Sequence, residues 1–503
     1  MSGTTAPTPP QTISFNEIPY SWQVPGTYVE VRPNYSQAGL LPYPANVLII
    51  GQMLASGNAQ QNVPYPLVQA LDAQAWFGAG SVAADMAAAF LAANPYTQVS
   101  IMGVGDAAGA VKAAGTLTIA GTATQAGTLA LYVAGKRIAT AVNVGDTAAT
   151  VAGNVLASIQ DVTGLPNALP VSAAVAADVV TLTALHGGTL GNQIDLRLNY
   201  QPGDLTPTGI TATIVAMAGG ATDPTITAAL SAISDTWYTD IVMAWSDATN
   251  TSALEAALET RYNAMGKLDS HAYGAIAGTY GTLAADAATL NSRFRSILGV
   301  QNPLNPSWEW AAAFCGQASF NLANDPARQL RGLSLPGILA PAQGDRFTLV
   351  ERENLLLDGI TTFNVQVDGT VSLERAVTEY KTSALGVPDT AWHDIMVPKT
   401  MSRIRYDWAG YVTLTYPRNK LADDGTLAAE YDTSVVTPSR MKGSWASRST
   451  LYEQQGWIEN SGTTAAQSIF VRDQNDRNRL NARQQVQVIG NLMILAAALE
   501  FQV

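Results

Sequence analysis

Short apolar runs alternate with helix-length amphipathic segments in two separate stretches of this chain, and that alternation limits the fold more than any other feature. ANVLIIG (45–51) and QVSIMGVG (98–105) have the continuous apolar character of strands buried on both faces, and VQALDAQAWFG and SVAADMAAAFLAANP lie between them. The pattern resumes with a helix in PTITAALSAISDTW, a strand in TDIVMAW (239–245) and a helix in SALEAALETRYNAMG. The spacing predicts a capping box from Ser252 and Glu255 at the start of that helix and a stop at Gly266. HAYGAIAG, TLAADAATLNS, FRSILGV and PSWEWAAAFCGQASFNLA continue as strand, helix, strand and helix. Strands separated by helices of this length imply a mainly parallel sheet.

Between the two stretches the period changes from helical to alternating. GTLTIAGT, TLALYVAGKRIATAVNV, DVVTLTAL and QIDLRLNY each alternate with period two, with one helix expected at about 147–160. Glycine-rich flanks, GDAAGA and AGGATDP, mark a β-rich domain inserted into the α/β domain. Past 376 the chain reads as an α+β unit, with helices in KTMSRIRYDWAGYV and PSRMKGSWASRSTLYEQQG, a strand in SIFVR and a charged connector in RDQNDRNRLNAR. The expected fold class is therefore α/β and α+β multidomain. Its parts are an N-terminal arm (1–40), a central α/β core in two parts (41–105 and 221–375), the insertion (106–220), a C-terminal domain (376–485) and a C-terminal arm (486–503).

Both ends look built to pair with something. Pro19, Pro25 and Pro33 punctuate the N-terminal segment, where TYVEV alternates as an edge strand would. The chain closes on NLMILAAALEFQV, whose only charged side chain is Glu500. A chain end is ordered only when something ties it down, so an apolar one must bury itself somewhere.

Composition narrows the function classes. Charged residues are 13% of the chain, below the usual share of about 25%. Much of the surface is then neutral, as suits an assembly. A net charge of −12 with no basic block argues against a nucleic-acid binder. With a single cysteine, Cys315, no internal disulfide framework exists. No secretion signal and no apolar run of about 18 residues stand out, so a soluble protein folded in a reducing cytoplasm is expected, with no membrane partner.

The chemistry motifs fail on inspection. Gly135-Lys136 and Gly266-Lys267 have Ala130 and Arg261 where a phosphate loop needs its first glycine. MGVGDAAG (102–109) places its last glycine one residue too late for a dinucleotide loop. His186, His271 and His393 are far apart, and none has a second ligand at metal spacing. His271, two residues after Asp269, is the one histidine placed for acid–base work. No metal, cofactor or catalytic residue is assigned. Cys315 reads as a small helix residue in the interior, and Asp325-Pro326 as the start of a further short helix.

Four passages together resemble the contractile bacteriophage tail sheath family, in its Mu-like branch. They are SFNEIP and VPGTYVEV near the start, LANDPARQLRGLSLPGILAP (322–341), LTYPRNKLADDGT (414–426), and the final set EQQGWIEN, FVRDQNDRNRLNAR and AALEFQV. ATVAGNVLASI and VVTLTALHGGTLGNQI resemble the domain that such sheaths carry as an insertion. The resemblance implies a homo-oligomeric helical polymer of stacked rings around a tail tube protein. Baseplate and terminator proteins stand at its ends, and it contracts without nucleotide hydrolysis to drive the tube through the host envelope. It implies a virion component made in the host cytoplasm, or alternatively the sheath of a bacteriocin or other injection system.

The resemblance also implies that the arms add strands to the C-terminal sheets of neighbouring subunits. Their contact residues would be Ile13, Phe15, Ile18, Tyr28, Val29 and Val31 at one end, and Val486, Val488, Ile489, Leu492, Ile494, Leu499 and Phe501 at the other. Arg403, Arg405, Arg440, Lys442 and Arg448 fall in the domain expected to face the tube, and Arg472, Arg477 and Arg479, with Arg483, are candidates for intersubunit pairs.

Overall fold

The computed structural model describes residues 23–29, 39–162 and 168–501. By packing they form two compact units. The larger holds Pro42–Tyr406, Tyr452–Asn460 and the described part of Val486–Val503; the smaller holds the described part of Met1–Leu41, Asp407–Leu451 and Ser461–Gln485.

The larger unit opens with β1 (Asn46–Gln52), β2 (Pro64–Leu67), α1 (Ala70–Phe77), α2 (Val82–Ala93) and β3 (Gln98–Val104). The insertion follows as β4 (Lys112–Gly121), β5 (Gly127–Val133), β6 (Lys136–Val142), α3 (Ala148–Val162), β7 (Val171–Ala176), β8 (Val179–Gly187), β9 (Leu196–Leu198) and β10 (Ile210–Ala218). The core resumes with α4 (Thr227–Ala232), β11 (Asp240–Met243), α5 (Ala248–Tyr262), β12 (His271–Ala277), α6 (Tyr280–Ala287), β13 (Arg295–Val300) and α7 (Ser307–Asn324). It ends with α8 (Leu349–Leu357), β14 (Ile360–Val365), β15 (Val371–Arg375) and the first half of α9 (Met396–Thr415).

These strands build an eight-stranded sheet in the order β15-β14-β13-β12-β11-β1-β3-β2. Its six central strands run parallel, and β2 and β15 pair antiparallel at the two edges. Two-face burial explains the continuous apolar runs, since Val47, Leu48, Ile49 and Ile50 are all fully buried. On α7, Trp308, Trp310, Phe314 and Cys315 are equally buried, and the helix packs along α2.

The local signals act where the chemistry allows. Ser81, Thr279 and Thr348 each accept a backbone N–H in the first turn of the helix that follows. Helix α5 departs from its expected bounds. Asp247 caps it by accepting the Asn250 amide, one turn ahead of Ser252, and it closes at Asn263 rather than at Gly266. Asp325 does not open a helix either. It terminates α7, and its Oδ1 accepts the Ala327 amide at 3.2 Å in a local turn.

The insertion forms a four-stranded sheet (β10-β4-β8-β7) and a three-stranded one (β6-β5-β9). It is less separate than its composition suggests. Leu117, Leu131, Val151 and Leu182 belong to the same apolar cluster as Val47, Phe90 and Phe314. The expected C-terminal boundary at 376 also shifts. Lys399 pairs with Asp240 at 2.6 Å, both nearly inaccessible, and so binds the first half of α9 to β11.

The smaller unit contains β16 (Lys420–Leu421), α10 (Leu427–Tyr431), β17 (Val435–Val436), α11 (Pro438–Gln454, through Leu451), α12 (Ser461–Gln467), β18 (Ile469–Arg472) and β19 (Leu480–Arg483). The expected charged connector is in fact a hairpin. Asp473 Oδ1 accepts the amides of Asn475 and Asp476, which turns the chain, and Leu480–Arg483 pairs back on Ile469–Arg472.

Burial and the charge of Asp240 push the Cys315 thiol well above its ordinary range. A thiol reagent should therefore leave the native protein unmodified and titrate one thiol after denaturation; rapid native labelling would contradict the placement of α7.

Candidate functional site

In doubly wound sheets the usual ligand site is the crevice where strand order reverses, beside a helix N-terminus. Here β1 lies between β3 and β11, so the reversal falls at the end of β1. That place is filled from within. Gln52 Nε2, at the end of β1, donates to Asp106 Oδ1 and to the Gly187 carbonyl, both at 2.7 Å. His186 Nδ1 lies 2.9 Å from Asp106 Oδ1, and its Nε2 accepts the Val82 amide of α2 at 3.3 Å. A β8 histidine thus takes the position at the α2 N-terminus where an anion would sit. The His186 and Gly187 contacts hold the Asp106 carboxyl below its usual range against the opposing effect of burial.

The other histidines are internal as well. His271 Nε2 is 3.0 Å from Ser296 Oγ, and burial keeps its pKa well below the ordinary value. Asp269 pairs with Arg405 at 3.0 Å while His271 bonds Ser296, so no hydrogen bond joins the aspartate and histidine that the sequence sets side by side for acid–base work. His393 Nδ1 faces the Tyr380 carbonyl.

Two groups of side chains hold the backbone next to the N-terminal and C-terminal segments. In the smaller unit, Asp407 on α9 and Arg448 on α11 form a buried ion pair, with Arg448 Nε 3.1 Å from Asp407 Oδ2 and exposures of 1% for the arginine and 0% for the aspartate. The Tyr411 ring lies 4.8 Å from the guanidinium. The same pair holds the root of the N-terminal arm, because Asp407 Oδ1 accepts the Leu41 amide at 2.8 Å and Arg448 Nη1 donates to the Gly39 carbonyl at 3.4 Å. Farther out, Tyr28 is 45% and Val29 79% exposed. Ile13, Phe15, Ile18 and Val31 lie outside the described residues.

The C-terminal arm has its root in the larger unit. Glu459 N donates to the Gln487 carbonyl and Ile489 N to the Trp457 carbonyl, with a bridge between Ile458 and Val488. Three residues of the LANDPARQLRG passage then clasp the backbone that follows. The Ala327 carbonyl accepts from Asn491 Nδ2 at 3.0 Å, Gln329 donates to the Leu492 carbonyl at 3.2 Å, and Arg331 to the Met493 carbonyl at 3.3 Å. Val488 and Ile489 are therefore docked on their own chain, and the clasp ends at Met493. Beyond it Ile494, Leu495, Leu499 and Phe501 are 80–97% exposed. Leu492, within the clasp, keeps its side chain outward at 72% exposure.

The β18–β19 hairpin presents Ile469 and Val471 on one face, 47% and 49% exposed, and buries Phe470 on the other. Its turn carries Arg477 and Arg479, both exposed, and Arg483 is exposed on β19. Arg472 reaches Asp423 at 2.9 Å.

The basic residues expected to face a tube divide. Arg448 is buried with Asp407, and Arg403 is 9% exposed, with its guanidinium 4.8 Å from the Tyr43 ring and 5.3 Å from that of Trp457. Arg405 is held by Asp269 and by the Tyr262 carbonyl. Arg403 and Arg448 are interior, which departs from reading them as surface charge, while Arg405 stays 29% exposed beside its partners. Arg440 donates to the Ala429 and Val435 carbonyls, and Lys442 to that of Ala466. Nothing in the sequence distinguishes them, because the deciding carboxylates lie far along the chain.

Comparison with known proteins fits this arrangement. Residues 219–379 match the phage tail sheath protein central domain and residues 387–502 the phage tail sheath C-terminal domain. A Mu-like prophage tail sheath protein of Haemophilus influenzae is 33% identical over 493 residues, which is 97% of this chain and 99% of that one. The chain belongs to the phage tail sheath family. The sheath tail protein of Desulfitobacterium hafniense aligns over 92% of this chain and 100% of its own at 13% identity, TM-score 0.48. The contracted PVC sheath of an extracellular contractile injection system aligns over 96% and 98% at 10% identity, TM-score 0.49.

Asp407→Ala strands a buried guanidinium and should destabilise the smaller unit by about 3–5 kcal/mol. Arg472→Ala removes a pair whose aspartate is 65% exposed and should change stability by about 0–1 kcal/mol. Denaturant titration of both variants checks the contrast, and equal effects would reject it.

Proposed function

We propose that this chain is the subunit of a contractile tail sheath that polymerises helically around a tail tube and contracts, without nucleotide hydrolysis, to drive the tube through the host envelope during genome ejection. The carrying observation is identity with a prophage tail sheath protein along nearly the whole length of both chains. In this reading the protein is a virion component, with the tube protein inside the polymer and baseplate and terminator proteins at its ends. The sheath of a bacteriocin or another injection system would use the same subunit chemistry.

The links between subunits are strand additions. Ile494–Phe501 is apolar but for Glu500, exposed and without regular structure in its own chain, which suits donation to a neighbour. The acceptor is the two-stranded β18–β19 sheet, whose unpaired edge groups and outward Ile469 and Val471 offer both ladder and apolar contact. The N-terminal arm, leaving from the Asp407–Arg448 pair, supplies a second link, with Tyr28 and Val29 among its contacts. Arg477 and Arg479, on the acceptor's turn, would meet acidic groups of a neighbour or of the tube. Each apolar side chain buried by a donated strand is worth roughly 1.5–3 kcal/mol.

A chain ending at Met493 should keep its fold and its clasp yet form no tubes, whereas the full chain forms tubes or rings in negative-stain electron microscopy. Normal tubes from the truncated chain would overturn the strand-addition reading. Absence of any polymer from the full chain in the presence of its tube protein would overturn the sheath assignment itself.

A further inference from the structure

The inserted domain touches the α/β core through a lysine that faces two carboxyls. Lys136 follows the β5–β6 turn, where Ala134 and Gly135 take φ of 50° and 76°, and this backbone aims the β6 start at the core helices. Its Nζ lies 3.0 Å from Asp85 Oδ1 on α2 and 2.7 Å from the Ala168 carbonyl oxygen. Glu309, in the first turn of α7, shares the site, and its Oε2 accepts from Asn305 Nδ2 at 2.7 Å. Asp85 and Glu309 are each 8% exposed, and Asp85 Oδ2 makes no hydrogen bond among the described residues. The charged groups acting on Glu309 are Asp85 from α2 and Lys136 from the hairpin.

We propose that Lys136, Asp85 and Glu309 form a pH-sensitive latch that seats the inserted domain on the core. With Glu309 protonated, one ammonium balances one carboxylate and the β5–β6 tip stays down. With Glu309 ionised, a water-poor site holds two carboxylates against one ammonium, and the tip lifts more readily. Burial first, and the Asp85 charge second, push the Glu309 carboxyl up to about 7, against the pull of Lys136 and Asn305. Burial works against the Lys136 charge, yet Asp85 and Glu309 outweigh it and hold the ammonium above its ordinary value. A carboxyl whose folded pKa is raised from 4.5 to about 7 contributes its stability in full below the lower value and loses it as pH rises through the upper one.

If lifting the tip returns Glu309 to water, the opening equilibrium should grow on the order of tenfold between pH 6 and pH 8. Hydrogen exchange of the full chain, corrected for the intrinsic pH dependence of exchange, reads this on peptides covering 127–142, with 271–277 and 295–300 as core controls. Glu309→Gln should abolish the pH-dependent part of the 127–142 signal and leave the controls unchanged. Lys136→Met should raise exchange of the tip at pH 8, and adding Glu309→Gln to it should restore protection. An unaltered pH response in Glu309→Gln overturns the proposal. So does wild-type protection at pH 8 in Lys136→Met. Should Glu309→Gln not fold, Asp85→Asn serves in its place. It removes the repulsion that raises Glu309, so the rise must shrink, and an unchanged rise overturns the latch.

Discussion

A guanidinium brought out of water needs a carboxylate and further acceptors around it, and Arg448 has Asp407, the Gly39 carbonyl and a tyrosine ring. Removing water makes this contact directional. The bidentate fork fixes the register of α11 against the second half of α9. The same pair also hydrogen-bonds the backbone at 39 and 41. Because the arm is held by main-chain atoms at its root, its exit point is independent of the side chains farther out. The C-terminal arm is held in the same manner, by side chains reaching backbone carbonyls at 492 and 493.

The doubly wound sheet brings a different consequence. Such sheets create a crevice lined with helix N-termini, and the chain could not leave it dry without supplying polar partners. The insertion does so, since His186 and Gly187 at the end of β8 meet Gln52 and the first amide of α2. The insertion is thereby bound into the core rather than suspended from two glycine-rich links. Lys136 does the same at a second point.

The sheet and its helices could be read from the chain because apolar runs of strand length alternate with longer helical segments. Val47–Ile50 and the helix ending at Asn324 are examples. Helix ends were less legible, because Asp247 and Ser252 are both competent caps and only the tertiary fit decides between them. The fate of individual charges was not legible. Arg448 and Arg477 look alike in sequence, yet one is sealed inside and the other stands on a turn. The difference depends on Asp407, about forty positions away, for Arg448, and on the turn that Asp473 makes for Arg477. The clasp made by residues 327–331 was equally hidden, since its partners at Asn491, Leu492 and Met493 lie some 160 positions farther along.

The hairpin at 469–483 has a kinetic implication. Two four-residue strands make a ribbon of marginal order when nothing lies beside them. Its first visitor must stiffen the ribbon as well as settle on it, whereas a second visitor finds the stiffening done. Under the proposed strand addition, growth from such a surface would begin slowly and then continue quickly.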